Sequence, residues 1–159
     1  MRYLPNSTFG TKVAGGNIGG NNHTLINFPL GLHRDLVTNS FIIANSNGAN
    51  VIQWHSGDSN WTQLAGILRK SDMTPTTFGY PTDVTIDPMG NVYVVDLSGH
   101  RIQFFLIGEF NGTTIAGVTN QTGSHSNLLY QPSSIILDNQ LNLYVADYSN
   151  HRVQKFLRY

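Results

Sequence analysis

Asn91-Val92-Tyr93-Val94-Val95-Asp96, then a turn and His100-Arg101-Ile102-Gln103-Phe104-Phe105, is the stretch that decides the fold. Val92 to Val95 is apolar without interruption, which suits a strand covered on both faces. Ahead of it, Pro81-Thr82-Asp83-Val84-Thr85-Ile86 is a β-rich run and Asp87-Pro88-Met89-Gly90-Asn91 is a turn sequence. Proline fixes φ, glycine tolerates positive φ, and Asp and Asn bond to nearby backbone. Behind it, Glu109-Phe110-Asn111-Gly112 leads into Thr113-Thr114-Ile115-Ala116. Four short strands with hairpin turns predict one small antiparallel sheet.

The unit recurs. Thr11-Lys12-Val13-Ala14-Gly15, Thr62-Gln63-Leu64-Ala65-Gly66 and Thr113-Thr114-Ile115-Ala116-Gly117 stand 51 residues apart. Pro29, Pro81 and Pro132 keep nearly that step, as do Asn45, Asp96 and Asp147. In the third unit, Leu143-Tyr144-Val145-Ala146-Asp147 and His151-Arg152-Val153-Gln154 repeat the decisive stretch. The first unit is degenerate: Phe41-Ile42-Ile43-Ala44-Asn45 replaces the strand ending in Asp, and Val51-Ile52-Gln53-Trp54 is read against Arg-Ile-Gln-Phe. A fixed period of this length signals a repeat architecture, and four-stranded antiparallel units point to an all-β propeller. One propeller region over residues 1–159 is expected, with an outer strand near 11–15 and blades at about 28–66, 80–117 and 131–157.

Asn91-Val92-Tyr93-Val94-Val95-Asp96 with His100-Arg101-Ile102-Gln103 resembles the NHL repeat, as does Asn142-Leu143-Tyr144-Val145-Ala146-Asp147 with Asn150-His151-Arg152-Val153-Gln154. The preceding prolines and the Thr-x-x-Ala-Gly strands fit the same pattern. The resemblance implies a propeller, commonly six-bladed, in a family dominated by binding scaffolds. Some NHL-like enzymes, the peptide-amidating lyases among them, use axial histidines with a metal, but no residue here matches such a site one for one. The paired glycines of Kelch repeats do not recur in this chain.

Three units are fewer than the four to eight blades of a closed propeller. The third unit lacks its fourth strand, while a lone strand of that kind precedes the first. A blade face of four strands presents roughly 300 Å², so two open end faces expose roughly 600 Å² of mostly apolar surface, more than a monomer usually carries. Two explanations stand side by side. In one, two chains form a six-bladed ring, each lending its Thr11 strand to the partner's third blade; in the other, the chain is a piece of a longer propeller.

Composition limits the function classes. The 159 residues are formally neutral, 40% hydrophobic and only 11% charged, so there is no electrostatic footprint for nucleic acid. No run approaches the ~18 apolar residues of a membrane-inserted helix. The absence of cysteine removes disulfides, thiolate catalysis and Cys-ligated zinc from these residues. Met1 to Asn6 has no secretory apolar run. An extracellular place is expected if the chain belongs to a longer secreted protein, and a cytoplasmic one otherwise.

Asp96, Arg101, Asp147 and Arg152 recur at one repeat position and are read as turn-ordering, paired groups rather than a ligand-binding rim, because sites usually break a repeat. His100 and His151 are read as turn residues. His23, His33, His55 and His125 are read as scattered over loops without metal-ligand spacing. Neither a Gly-x-Ser-x-Gly, a Walker loop nor a His-Glu-x-x-His motif occurs, so no catalytic, cofactor or metal residue is assigned. Asn6, Asn22, Asn60, Asn111 and Asn120 begin Asn-x-Ser/Thr sequons. Asn60 and Asn111, one position copied by the repeat, are the candidates for N-glycosylation. The function expected is a non-catalytic scaffold for a protein, peptide or glycan; the alternative is a metal-dependent lyase or hydrolase with an axial site.

Overall fold

The computed structural model describes residues 10–158. It is all-β, with three separate antiparallel sheets of four, four and three strands. The first holds β1 (Pro29–Asp35), β2 (Ser40–Asn45), β3 (Asn50–His55) and β4 (Thr62–Gly66) in sequence order. β5 (Pro81–Ile86), β6 (Val92–Asp96), β7 (Arg101–Phe105) and β8 (Thr113–Gly117) form the second. The third has β9 (Ser134–Leu137), β10 (Leu143–Asp147) and β11 (Arg152–Phe156). Single 3-10 turns at Ser46–Gly48 and Tyr148–Asn150 join the second and third strands of the first and third sheets. Among the described residues no helix is long and apolar enough to cross a membrane.

The sheets stack face to face, and their first strands β1, β5 and β9 lie side by side on the inside. Between sheets one and two sit Ile42, Ala44, Val51 and Ala65 against Phe78, Val84, Val92, Val94 and Phe105. Between sheets two and three sit Tyr93, Val95, Ile102 and Ala116 against Leu129, Ile135, Leu143 and Val145. Each side chain of this second core, on either side, is one repeat after its counterpart in the first. This is the propeller-like packing that uninterrupted apolar strands require, since no blade can bury both faces alone. At the inner end Gly31 packs on sheet two so closely that a Cβ there would collide with Thr82 and Asp83 backbone. Phe78 and Phe105 meet edge to face at 5.6 Å in the same layer.

Two readings of the first unit change. Asn45 pairs with Asn50 as Asp96 pairs with Arg101. Arg101 therefore corresponds to Asn50, not Val51, and the expected match of Val51-Ile52-Gln53-Trp54 is displaced by one residue. Ile52 occupies the place of Gln103, and both are fully buried. Thr11–Gly15, expected as an outer strand, is not a strand among the described residues. An isolated strand has no ladder partner for its N–H and C=O groups, and no neighbour here supplies one.

Candidate functional site

The repeated charged residues point into the molecule. Asp96 is wholly buried and Arg101 is 2% exposed. The Gly79 and Tyr80 amides donate to Asp96 Oδ1 at 2.9 and 3.0 Å, and Arg101 Nε donates to Oδ2 at 3.1 Å. The rest of the guanidinium donates to Thr119 Oγ1 at 3.1 Å and to the Thr74 and Thr77 carbonyls at 3.0 and 2.9 Å. This fork ties down the loop between β4 and β5. The third sheet repeats it: Asp147 takes the Tyr130 amide at 2.7 Å and Arg152 Nε at 2.8 Å, while Arg152 reaches the Ser124, His125 and Leu128 carbonyls. Burial alone would raise the Asp147 pKa; the Tyr130 amide, Asn150 and Arg152 outweigh it and hold the carboxyl below its ordinary value.

Sheet one does the same job without charge. Asn45 Oδ1 accepts the Asn27 amide at 2.7 Å, and its Nδ2 donates to Asn50 Oδ1 at 2.8 Å. His100 and His151 both hold left-handed turns at φ 56, as Ala49 does at φ 54. His100 also joins two blades: its Nδ1 accepts the Gln131 amide at 3.1 Å, which leaves the proton of the neutral ring on Nε2, and the ring meets Tyr130 edge to face. Burial lowers its pKa, against the opposing pull of Asp96. Asn60 and Asn111 are exposed in the loops before the fourth strands. Asn6 lies outside the described residues.

Two carboxylates with no part in the expected sites anchor the inner hairpins. Asp87 Oδ1 accepts the Met89 and Asn91 amides, both at 3.0 Å, and Oδ2 takes Asn91 Nδ2 at 2.9 Å and the Tyr93 hydroxyl at 3.3 Å. Asp138 repeats this with Gln140, Asn142 and Tyr144. The signal was present as Asp-x-x-x-Asn-x-Tyr in units two and three.

With the repeated polar groups engaged internally, the inner strands hold what remains. A cleft of about 530 Å³ is lined by Leu32, His33, Asp83, Thr85, Ser134 and Ile136, among others. His33 and His55 lie within β1 and β3, not in loops. His33 Nδ1 is 3.3 Å from Thr85 Oγ1; burial lowers the His33 pKa, with Asp35 and Asp83 opposing, so the imidazole is neutral at pH 7. Asp83 Oδ2 accepts the Ser134 hydroxyl at 2.6 Å and the Ile135 amide at 3.0 Å. The Ser134 hydroxyl thus donates to a carboxylate, with no imidazole bonded to it among the described residues. Among the described residues no three His, Asp or Glu side chains are grouped to hold a metal ion.

By strand register, Gly31, Asp83 and Ser134 share one repeat position, and His33, Thr85 and Ile136 share the next on the same face. Both positions change chemistry in every blade, whereas the fork is Asp–Arg in sheets two and three and gives way to an Asn pair only in sheet one, and the core positions stay apolar.

The NHL repeat model matches residues 78–105 and 129–156, so the chain carries two NHL repeats. Both matches run from the loop residue that enters the inter-sheet core to the end of the third strand. No curated protein matches. Among solved structures, the chain is similar to a protein of unknown function from Bacteroides thetaiotaomicron VPI-5482, at 19% identity and TM-score 0.70, over 81% of this chain and 34% of that one. An auxiliary nutrient binding protein from the same organism aligns at 16% identity and TM-score 0.63, over 78% and 36%. Streptogramin B lyase aligns at 9% identity and TM-score 0.62, over 92% and 41%. At these identities the likeness concerns the fold, and the chain spans well under half the length of each.

Proposed function

We propose that this chain is a non-catalytic binding scaffold, three blades of a six-bladed NHL-repeat propeller that holds an uncharged polar ligand, a peptide or glycan, at its axis. The observation that carries this is where the repeat breaks. Side chains that recur with the period are consumed in caps and cores, while the inner positions facing the cleft diverge. His33, Thr85 and Ser134 offer neutral donors and acceptors, with the Asp83 carboxylate already engaged by Ser134 and Ile135, beside Leu32, Val84 and Ile136, the mixture that small-molecule and peptide sites use. The ring is completed by three further blades, from a second copy or from a longer chain. An auxiliary nutrient binding protein among the similar folds is consistent with a ligand role.

The test is chemical-shift mapping of the 15N-labelled chain against peptide and oligosaccharide libraries. Shifts clustered at His33, Thr85 and Ser134, abolished by His33→Ala with the fold intact, support the reading; shifts confined to the outer loops overturn it. The axial-metal alternative predicts stoichiometric metal by elemental analysis of the purified protein.

A further inference from the structure

Among the described residues the third sheet has an unpaired edge and an uncovered face, and the chain carries a segment that fits them. The face of sheet two that packs on sheet three presents Tyr93, Val95 and Ile102. One repeat later, the same face of sheet three presents Tyr144, Ala146 and Val153, with Ile136 from β9. Ile102 is fully buried, whereas Val153 is 70% and Ile136 65% exposed. At the edge, β11 has no outer neighbour among the described residues, while β3 pairs with β4 and β7 with β8.

Thr11–Gly15 is the third copy of the sequence that makes β4 and β8, and it is set up like them. Gly15 has φ 77, against 79 for Gly66 and 78 for Gly117. Ala14 packs against the Ile43, Ile52, Trp54 and Trp61 cluster, as Ala65 joins Phe105 and Ala116 joins the core bordered by Phe156. The segment thus lies against sheet one where the outer strand of a preceding blade would lie, and it makes no strand pairing among the described residues.

We propose that Thr11–Gly15 of one copy pairs antiparallel with β11 of a second copy, and reciprocally, so that two three-bladed chains close one ring. This rests on the half-ring reading above but not on the nature of the ligand. Register follows from β7 and β8, where Arg101, Ile102, Gln103 and Phe104 oppose Gly117, Ala116, Thr114 and Thr113. Gly15 then opposes Arg152, Ala14 opposes Val153, Lys12 opposes Gln154 and Thr11 opposes Lys155, with Val13 in the bulge. Two end-to-end contacts between blade faces of about 300 Å² bury about 1,200 Å² in total before the added strands are counted, the lower bound of a specific interface. Two-fold closure leaves no edge to recruit a third chain.

Because the chain has no cysteine, an engineered pair reports without background. Ala14→Cys combined with Val153→Cys should give a covalent dimer under mild oxidation, at a cross-strand pair close enough for a disulfide, while Ala14→Cys with Met89→Cys, at a hairpin tip, should not. Light scattering of the unmodified chain should give twice the monomer mass. A labelled peptide, Gly10 to Gly16, should bind the unmodified chain and raise its anisotropy, and its Val13→Pro form should bind about tenfold more weakly. A dimer with no Ala14–Val153 cross-link and no peptide binding overturns strand exchange while leaving the two-copy ring. A folded monomer up to the highest soluble concentration, with no peptide binding, overturns the second-copy partner; a ring completed by other blades then remains.

Discussion

Arg101→Met is the sharpest test of how the blades are held. The side chain is 2% exposed and its partner carboxylate wholly buried, so water cannot replace what is removed. The substitution takes the guanidinium from the Asp96 carboxylate and from the Thr77 carbonyl, and leaves the Thr74 carbonyl only the longer bonds from the Thr77 amide and Gln103 Nε2. Breaking a buried pair from one side costs about 3–5 kcal/mol, a large share of a domain's stability, and should lower Tm by roughly 6–20 °C. Arg152 makes the same fork but is 29% exposed, so Arg152→Met should cost only about 1–2 kcal/mol. The double variant Asp96→Asn with Arg101→Asn reproduces the pair that sheet one already uses, Asn45 with Asn50, and should recover about 1–2 kcal/mol relative to Arg101→Met. Urea unfolding followed by circular dichroism measures all three. Tryptophan fluorescence should be recorded alongside, because Trp54 and Trp61 both report on sheet one and stacked repeats can unfold in parts. Equal costs for Arg101→Met and Arg152→Met, or no recovery in the double variant, would refute the reasoning.

Acid should destabilise the fold in two stages. His33 and His100 sit below their ordinary 6.5 because burial disfavours the imidazolium, so the unfolded chain takes up protons first and stability falls as pH drops below about 6.5. Asp35, lowered chiefly by the Thr38 hydroxyl, and Asp138, lowered chiefly by Asn142, contribute stability that is present above 3.8 and lost as pH falls through their folded values. Melting curves from pH 8 to 3 should show both, with the first stage reduced in His100→Gln; a flat Tm between pH 7 and 5 contradicts the assignment. His151→Gly should stabilise by about 0.5–1 kcal/mol, since the exposed residue holds φ 56 where glycine is unstrained; thermal melts should show no such gain for His100→Gly, which loses the Gln131 bond. Asp87→Ala should cost about 2 kcal/mol in urea titration, because it leaves the hairpin amides and the Tyr93 hydroxyl without their acceptor.

The strands of units two and three were legible because each is a short apolar or β-branched run fenced by turn residues, and because the period repeats the fence. Unit one was harder. Gln53 lies in a stretch that looks like the Arg-Ile-Gln-Phe of unit two, and matching glutamine to glutamine displaces the register by one residue. The true counterpart of Arg101 is a neutral Asn50, so the pattern that carries the capping role changes chemistry while keeping geometry, and reading charge alone misses it. The cleft was less legible still. His33, Thr85, Asp83 and Ser134 meet across blades about one period apart, and nothing in the local sequence of β1 or β5 marks them. Their one signal is divergence at register-matched positions, which appears only once the strand pairing is known.

Gly31 has a consequence for the angle between the first two sheets. Sheets one and two touch at the inside with no side chain at Gly31 between them and are held apart farther out by Phe78 and Phe105, so they form a wedge, whereas sheets two and three meet at that position through the Asp83 side chain and Ser134. A side chain at position 31 would widen the inner spacing while the aromatic spacer stayed the same, making that wedge thinner. The angle between sheets one and two is thereby written in the difference between the smallest residue on the inner strand and the ring systems outside it, so in the two-copy ring proposed above one methyl group at Gly31 would bear on whether the ends meet.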